Sequence, residues 1–359
     1  MTETTTRSSD VEARRRLRDR LGKDGLRISQ PDEPPLFTRR PESTMRPMHW
    51  KWADLRGYLE ELGRVLDLTP GGDRRTLRLA NPGLEYGTTP TFWASIQYIN
   101  PGEVATAHRH TPDAFRFIMH GDGCSTTVEG ENYLMNEGDL VLTPNWMYHD
   151  HVHHGDEPMI WLDVLDVSVM KKLHNIHFDP LPTDTQVVGE YPETSYRSFG
   201  SGTMRPVGRV ERPFGNPLLA YPKAQTDSAM EMAKGLEPDP VDDVILEYQD
   251  PTTGGSALPS LSMKSQIIRP GFEGRAHRHT GSKVYYVTEG SGTTVVEGHR
   301  FDWAEGDFFS IPPWATHRHL NGGTEEAKLF RVDDSPIFRY LRTFHEEILD
   351  DAGEAEVQR

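Results

Sequence analysis

The chain has 359 residues, enough for two domains that each bury a core of ordinary size. Its formal net charge of −16 at pH 7 excludes nucleic acid and an anionic membrane as main partners, because both require a clustered positive surface. The one cysteine, Cys124, cannot form an internal disulfide, and the polar N-terminus lacks an apolar signal core, so we predict a cytoplasmic protein.

The first 47 residues mix charges and prolines without sustained apolar periodicity, so 1–47 is interpreted as an N-terminal arm. Within it, residues 11–21 are predicted to form a short helix with Asp10 as the N-cap. The next segment, KWADLRGYLEEL, is predicted to form a helix that covers the following barrel. Its larger apolar side chains recur at helical spacing: Trp52, Leu55, Tyr58, Leu59 and Leu62.

The stretch TPTFWASIQYINPGE is predicted to form the first strand of a barrel. Period-two alternation places Trp93, Ser95 and Gln97 on one face and apolar residues on the other. A buried polar group without a partner costs roughly 1 to 3 kcal/mol. We therefore expect the face with Ser95 and Gln97 to line a wet pocket.

Two later stretches each carry a His-x-His pair on a predicted strand. His108 and His110 share one strand face, and His149 and His151 repeat the arrangement. The pattern of Gly, five residues, His-x-His, then Gly, five residues and Pro-x-Trp-x-x-His resembles that of the cupins, which are jelly-roll barrels. Since cupins hold a metal in the barrel mouth, we predict His108, His110 and His149 as metal ligands.

A proline-rich connection follows over 170–255, with one helical stretch over 226–233. A bare loop of this length is uncommon, so the connection is expected to wrap the barrels or to build a subunit interface. The cupin pattern then returns at His277, His279 and His317, displaced by 169 residues for the pair and 168 for the third histidine. This internal duplication predicts a possible second metal site.

The predicted fold is therefore an all-β bicupin, with two jelly-roll β-barrels and flanking helices. The N-terminal cupin is predicted over 48–169 and the C-terminal cupin over 256–335. A closing helix and an acidic tail are predicted over 336–359.

The two copies of the pattern differ at the position of a fourth ligand. Many cupins place a glutamate shortly after His-x-His, but the aligned residues here are Ala114 and Lys283. Three neutral histidines would leave about half of an octahedral coordination shell open, which suits Fe(II) and oxygen chemistry. A bidentate substrate and O2 could then bind together.

The surroundings of the ligands also differ between the copies. Arg116 and Asp163 of the first copy align with Tyr285 and Arg331 of the second. Only the first copy pairs its histidines with an arginine whose guanidinium can bind a carboxylate in two places. The active site is therefore predicted in the first barrel.

From about residue 50 to 341 the chain resembles the gentisate 1,2-dioxygenases and their relatives acting on salicylate and 1-hydroxy-2-naphthoate. The resemblance runs through NPGL, TPTFWASIQYINPGE, AHRHTPDAFRF, GDLVLTPNWMYHDH, WLDVLD, DPTTGG and AHRHTGSKVYYVTEGSG. It implies a homotetramer that uses Fe(II) and O2 to cleave the ring between the carboxylated and the adjacent hydroxylated carbon, giving a maleylpyruvate-type product. It also implies a site around the aromatic acid with iron on His108, His110 and His149 and with these further residues: Trp93, Gln97, Arg116, His151 and Asp163.

In this interpretation Arg116 holds the substrate carboxylate, and His151, oriented by Asp163, exchanges the phenolic proton. Ser95 departs from the alanine or glycine that we expect in the family, so the preferred ring substituent stays open among gentisate, salicylate, substituted salicylates and hydroxynaphthoates. Two other functions also stay open. One is a bicupin decarboxylase or isomerase using Mn(II) or Zn(II), and the other is a ligand-binding bicupin without catalysis.

Overall fold

The computed structural model describes residues 3–28, 36–66, 68, 74–207 and 215–350, and the chain divides into two compact units, 1–41 and 42–359. The first unit contains helix α1 (Glu3–Lys23). The predicted helix over 11–21 is confirmed, but Asp10 lies inside it and is not its N-cap. The predicted acidic tail, from residue 351 onward, lies outside the described residues.

The second unit opens with β1 (Met48–Trp50) and α2 (Trp52–Val65). The strands of the first barrel follow: β2 (Thr76–Arg78), β3 (Trp93–Ile99), β4 (Val104–His110), β5 (Ala114–His120), β6 (Cys124–Val128), β7 (Glu131–Met135), β8 (Leu140–Thr143), β9 (His149–His153) and β10 (Met159–Leu165). Leu55 and Leu59 of α2 are buried as predicted, but Tyr58 is exposed because it lies at the edge of the apolar face.

The connection adds short elements to the edges of both barrels: α3 (Val167–Lys172), β11 (Phe178–Pro180), α4 (Thr194–Phe199), β12 (Ala220–Tyr221), α5 (Lys223–Ala233) and β13 (Val244–Glu247). The predicted helix over 226–233 is part of α5. The second barrel comprises β14 (Ser262–Ile268), β15 (His277–His279), β16 (Lys283–Glu289), β17 (Ser291–Val296), β18 (His299–Ala304), β19 (Phe308–Ile311), β20 (His317–Leu320) and β21 (Ala327–Asp333), followed by α6 (Ser335–Tyr340) and β22 (Glu346–Ile348).

Each barrel is built from two antiparallel sheets, so the predicted two-barrel, all-β fold with flanking helices is confirmed. The first barrel has the strand orders β12-β8-β5-β10-β3-β2 and β11-β4-β9-β6-β7. The second has the orders β1-β19-β16-β21-β14-β13 and β18-β17-β20-β15-β22. No helix in the described part of the chain is long and apolar enough to cross a lipid bilayer.

Both ends of the second unit differ from the prediction. Strand β1 precedes the first barrel in sequence but pairs with β19 of the second, Met48 opposite Ser310. At the C-terminus, α6 is short and Arg342 has a φ of 58°, which breaks the predicted closing helix. The chain then forms β22 beside β15, because the edge strand offers unpaired backbone groups.

The six-stranded sheets of the two barrels pack face to face through apolar side chains. Alternate residues of β3, β5 and β10 join one cluster with residues of β14, β16 and β21, and Phe117 stacks on Phe330 with ring centroids 4.2 Å apart. Since side chains alternate along a strand, the residues between these apolar positions face the interior of the first barrel. They are Ser95, Gln97, Arg116, Trp161 and Asp163.

Candidate metal centre and its surroundings

The three predicted ligands of the first barrel lie together. His108 on β4 stands directly opposite His149 on β9, and His110 follows on the same face of β4. One nitrogen of each imidazole lies within 4.8 Å of those of the other two. Strand pairing thus brings residues about 40 positions apart in sequence into ligand geometry.

Backbone carbonyls fix the orientation of all three imidazoles. The Nδ1 atoms of His108, His110 and His149 lie 2.8, 2.8 and 3.0 Å from the carbonyl oxygens of Thr106, Pro112 and Met147. A carbonyl only accepts, so Nδ1 of His110 and of His149 carries the proton and Nε2 keeps a lone pair, as metal-binding histidines require. His108 Nδ1 lies 2.8 Å from both the Thr106 carbonyl and the Arg74 guanidinium.

Burial keeps these imidazoles neutral. It lowers the pKa of His108 to about 3 and that of His110 to about 4, and it lowers the pKa of His149 well below its ordinary value. His149 Nε2 is buried and has no hydrogen-bond partner among the described residues. A divalent cation would satisfy it, so this set of donors fits a metal.

A charged pair lies on the opposite wall of the barrel. Arg116 on β5 and Asp163 on β10 are cross-strand neighbours, with Nη2 and Oδ1 3.6 Å apart. Arg116 also donates to Thr143 Oγ1 at 2.7 Å. Burial lowers the pKa of Arg116 and raises that of Asp163. The ion pair is loose enough for Arg116 to bind a further anion.

The predicted pocket strand contributes three residues with different exposures. Gln97 is fully buried, and neither of its amide atoms has a partner in the described chain. Ser95 donates its hydroxyl to the Asp163 carbonyl at 3.1 Å, so its main remaining effect is steric. Trp93 is half-buried and contacts Tyr86, with ring centroids 4.3 Å apart.

The expectation that Asp163 orients His151 is not met. His151 on β9 pairs across the other sheet with Thr126 on β6, and His151 Nδ1 lies 2.7 Å from Thr126 Oγ1. The Thr126 hydroxyl donates to Met135 Sδ at 3.0 Å, so it accepts from His151 Nδ1. Asp163 lies in the opposite sheet beside Arg116. His151 Nε2 therefore keeps its lone pair, with no partner within the described ranges.

Unpartnered polar atoms are concentrated in the first barrel. Buried atoms without a hydrogen bond to another described residue include Gln97 Nε2 and Oε1, Arg116 Nε, His149 Nε2, His151 Nε2 and Asp163 Oδ1. Native proteins leave few such atoms, because each costs roughly 1 to 3 kcal/mol. Their concentration indicates a site built for a polar ligand.

Two residues near the site lie outside every motif that the sequence offered. Arg74, just before β2, places Nη2 2.8 Å from His108 Nδ1 and 3.3 Å from His108 Nε2, and burial lowers the pKa of Arg74 to about 10. Its Nη1 is buried without a partner among the residues described. Phe178 of β11 stacks on the His108 ring with centroids 4.9 Å apart. The chain carries no local signal for either, because both reach the site from connecting segments.

The second barrel brings His277, His279 and His317 together in the same way, with ligand nitrogens within 4.8 Å of one another. Tyr285 stands opposite Arg331, in the register that Arg116 and Asp163 occupy in the first barrel. Arg331 is bound to Asp242 at 2.8 Å and to Asp333 at 2.9 Å. Hence this arginine is already neutralised.

Comparisons with known proteins agree with this architecture. The cupin domain family matches residues 95–165 and 265–333. The chain is 36% identical to the 5-aminosalicylate 1,2-dioxygenase of a Comamonas species, over 87% of this chain and 84% of that protein. It is 36% identical to the gentisate 1,2-dioxygenase of a Streptomyces species, over 95% and 97% of the two chains.

A solved structure is similar over the same extent. The salicylate 1,2-dioxygenase of Pseudoaminobacter salicylatoxidans, crystallised with gentisate, superposes with a TM-score of 0.86 at 31% identity. The match covers 93% of this chain and 93% of that chain.

Proposed function

The chain belongs to the family of ring-cleaving 1,2-dioxygenases that includes these gentisate and salicylate enzymes, and from this membership we propose that it opens the ring of gentisate or a related salicylate with Fe(II) and O2. The broken bond joins the carbon bearing the carboxylate to the adjacent carbon bearing the hydroxyl. Both atoms of O2 enter a maleylpyruvate-type product. The observation that carries this proposal is the set of three neutral histidines facing a wall of buried, unpartnered polar atoms.

The metal would be held by Nε2 of His108, His110 and His149, whose orientation is fixed before any ion enters. Three protein ligands leave positions for a chelating substrate and for O2. When bound, iron supplies the redox chemistry between the ring and O2.

The substrate carboxylate is assigned to Arg116. Asp163 holds the guanidinium in place at 3.6 Å, and Thr143 fixes its other edge, so the cation is oriented before the substrate arrives. Gln97, whose amide is buried and unpartnered, is placed to hydrogen-bond a second oxygen of the substrate. A carboxylate and an ortho hydroxyl together would satisfy both residues.

Arg74 supplies a second positive charge on the metal side of the site. Its Nη2 lies within hydrogen-bond distance of both ring nitrogens of His108, so it occupies space that a metal on Nε2 would need. In the loaded enzyme the guanidinium must therefore leave that nitrogen, and an anionic oxygen of the substrate is the partner we assign to it. The two arginines also favour an anionic substrate over a neutral phenol.

His151 moves the proton. Burial and the nearby Arg116 lower its pKa well below the ordinary value, so Nε2 is unprotonated and can accept the phenolic proton. Thr126 stabilises this tautomer by accepting from Nδ1. Later in the reaction the same Nε2–H returns a proton to the opened ring.

Ser95 affects which ring substituent fits the site, because serine occupies more volume than alanine or glycine on the pocket strand.

We also propose a homotetramer, as the family resemblance implies, which light scattering of the purified protein would test.

The decisive experiment is oxygen uptake by Fe(II)-reconstituted protein on gentisate, salicylate, 5-aminosalicylate and 1-hydroxy-2-naphthoate. We expect equimolar O2 and acid consumption with at least one of them. Benzoate, which lacks the ortho hydroxyl, and catechol, which lacks the carboxylate, serve as controls and should not react. Carbon dioxide release without O2 uptake would instead indicate a decarboxylase, and no reaction with any acid would reject the proposal.

A further inference from the structure

The second histidine cluster contains a lysine at the strand position where the first barrel has an alanine. Lys283 is buried, and its Nζ lies 3.4 Å from Nε2 of His277 and 3.4 Å from Nε2 of His317. These nitrogens belong to the set that could hold a metal. The lysine therefore points into the histidine cluster from its open side.

The hydrogen-bond direction at His317 shows that the lysine uses a lone pair that a metal would need. His317 Nδ1 lies 2.9 Å from the Ala315 carbonyl, so it donates there and leaves Nε2 as an acceptor. Lysine nitrogen carries N–H donors in both of its protonation states. A metal could bind His317 only if Lys283 released it.

Strand register places the same backbone position in both barrels. Ala114 on β5 stands opposite Thr143 and Leu165, and Lys283 on β16 stands opposite Ile311 and Asp333. The alanine methyl is too short to reach the histidines of the first barrel. Lys283 therefore reaches its histidines from a strand position at which the first barrel has only a methyl group. The cation beside the first cluster, Arg74, comes from a connecting segment and contacts only His108 of its three histidines.

Acidic residues around Lys283 make its burial tolerable. It lines a cavity of about 290 Å³ together with Asp242, Asp333 and Glu346. A buried ammonium is stable only where opposite charges and hydrogen bonds replace its water. The second barrel therefore holds an amine donor beside its histidines, with acidic groups nearby that favour the ammonium form.

We propose that Lys283 takes the place of the metal in the second barrel, so that each chain binds one catalytic ion, in the first barrel, and none on His277, His279 and His317. His277 and His317 are then hydrogen-bond acceptors that hold the lysine and keep the barrel mouth packed. This inference rests on the metal site proposed for the first barrel, but it does not depend on the substrate.

Cobalt binding by the metal-free full-length protein tests the proposal. Titration with Co(II), followed by its visible absorption and by metal analysis of the dialysed protein, should give one ion per chain. His110→Ala should remove that ion. Two ions per chain in the unmodified protein would overturn the inference while leaving the dioxygenase proposal intact. One ion that remains bound in His110→Ala would place the metal in the second barrel and would also overturn the inference.

Exchanging the two aligned residues sharpens the test. Lys283→Ala should raise the number of bound Co(II) ions from one to two per chain, and adding His279→Ala should return that number to one. Lys264→Ala is the matched control, because Lys264 lines the same cavity but is bound to Ser262 and Asp333. This variant should still bind one Co(II) ion per chain. A folded Lys283→Ala protein that still binds one ion would reject the lysine as the barrier.

The reverse substitution covers the case in which Lys283→Ala does not fold. Ala114→Lys should abolish cobalt binding at the first barrel, as judged by the loss of the Co(II) spectrum in protein with an unchanged circular dichroism spectrum. Unchanged affinity for cobalt in that variant would contradict the proposal. If neither variant folds, the number of Co(II) ions bound by the unmodified protein still tests the proposal, because one ion per chain supports it and two ions contradict it.

Discussion

In the first barrel the wall opposite the histidines pairs Arg116 with Asp163, whereas in the second the same two positions hold Tyr285 and Arg331. The first pair is loose and leaves buried atoms of both side chains unpartnered among the described residues. In the second barrel Arg331 forms short ion pairs with Asp242 and Asp333. On this wall the first barrel has polar groups that await a ligand, whereas the second pairs its arginine with its own aspartates.

The histidine after each third ligand repeats this contrast. His151 has one nitrogen on Thr126 and one without a partner in the described chain. In the second barrel, Thr294 lies 2.8 Å from His319 Nδ1, and the Tyr285 hydroxyl lies 3.2 Å from His319 Nε2. Duplication thus preserved the scaffold, while substitutions at a few inward positions closed one of the two sites.

The largest difference between the barrels should appear when one ligand is removed from each. His110→Ala should abolish turnover, because two histidines hold Fe(II) too weakly. His279→Ala should keep kcat per iron within a few-fold and lower the free energy of unfolding by about 1 to 3 kcal/mol, as ordinary buried substitutions do. Oxygen uptake and iron content are measured together. A folded His279→Ala protein with iron in the first barrel but no activity would show that the chemistry was assigned to the wrong barrel.

Removing the inward arginine should give the next largest effect. Arg116→Ala should lower kcat/KM for carboxylated substrates, because a buried charge-assisted contact is lost. The expected loss of transition-state stabilisation is roughly 2 to 4 kcal/mol. Tyr285→Phe is the matched change in the second barrel and should leave kcat/KM unchanged. Equal kcat/KM for the Arg116→Ala variant and the unmodified enzyme would reject carboxylate binding by Arg116.

The threonine behind each histidine offers a smaller, more specific comparison. Thr126→Val removes the acceptor for His151 Nδ1–H, so we expect kcat to fall by about 10- to 100-fold with little change in KM. Thr126→Ser should restore it, since the hydroxyl returns. Thr294→Val in the second barrel should not change kcat. A change confined to KM, or no rescue by serine, would mean that Thr126 does not orient the base.

The smallest expected effect concerns a carboxyl pair that the second barrel lacks. Asp113 N–H donates to Asp166 Oδ1 at 3.0 Å, whereas Ser282 takes the corresponding place beside Asp334. Burial raises the pKa of Asp113 to about 6, and burial together with Asp113 raises the pKa of Asp166 to about 7. A raised carboxyl pKa means that the folded protein resists ionisation. The free energy of unfolding therefore falls as pH rises from the carboxyl pKa of the unfolded chain, near 4, to the carboxyl pKa of the folded protein, near 7.

Asp113→Asn should reduce this loss by roughly 2 kcal/mol, because the amide cannot ionise and no longer repels Asp166. Urea denaturation at pH 4.5 and pH 7.5 measures the difference. Asp156→Asn, at an exposed carboxylate, is the control and should leave the pH dependence as it is. An equal change in the free energy of unfolding between pH 4.5 and pH 7.5 in Asp113→Asn and in the unmodified protein would contradict the raised pKa values of this carboxyl pair.

The sequence by itself determined the scaffold and the direction of the main side chains. The duplicated histidine spacing predicted two barrels and both clusters, since period-two alternation decides which residues share a face. The same alternation placed Gln97 on the face expected to line a pocket, and the alignment of the two copies singled out Arg116. Helix α2 followed from its spacing, although the exposure of Tyr58 did not.

Only the tertiary structure decided which distant segments meet. Strand β1 joins the second barrel, Thr126 rather than Asp163 holds His151, and Arg74 and Phe178 reach His108 from segments without a motif. The direction of Lys283 into its histidine cluster belongs here too. Local periodicity fixes the face on which a side chain lies, but its partner depends on strand pairing and on the path of connecting segments, which are set by packing across the whole molecule.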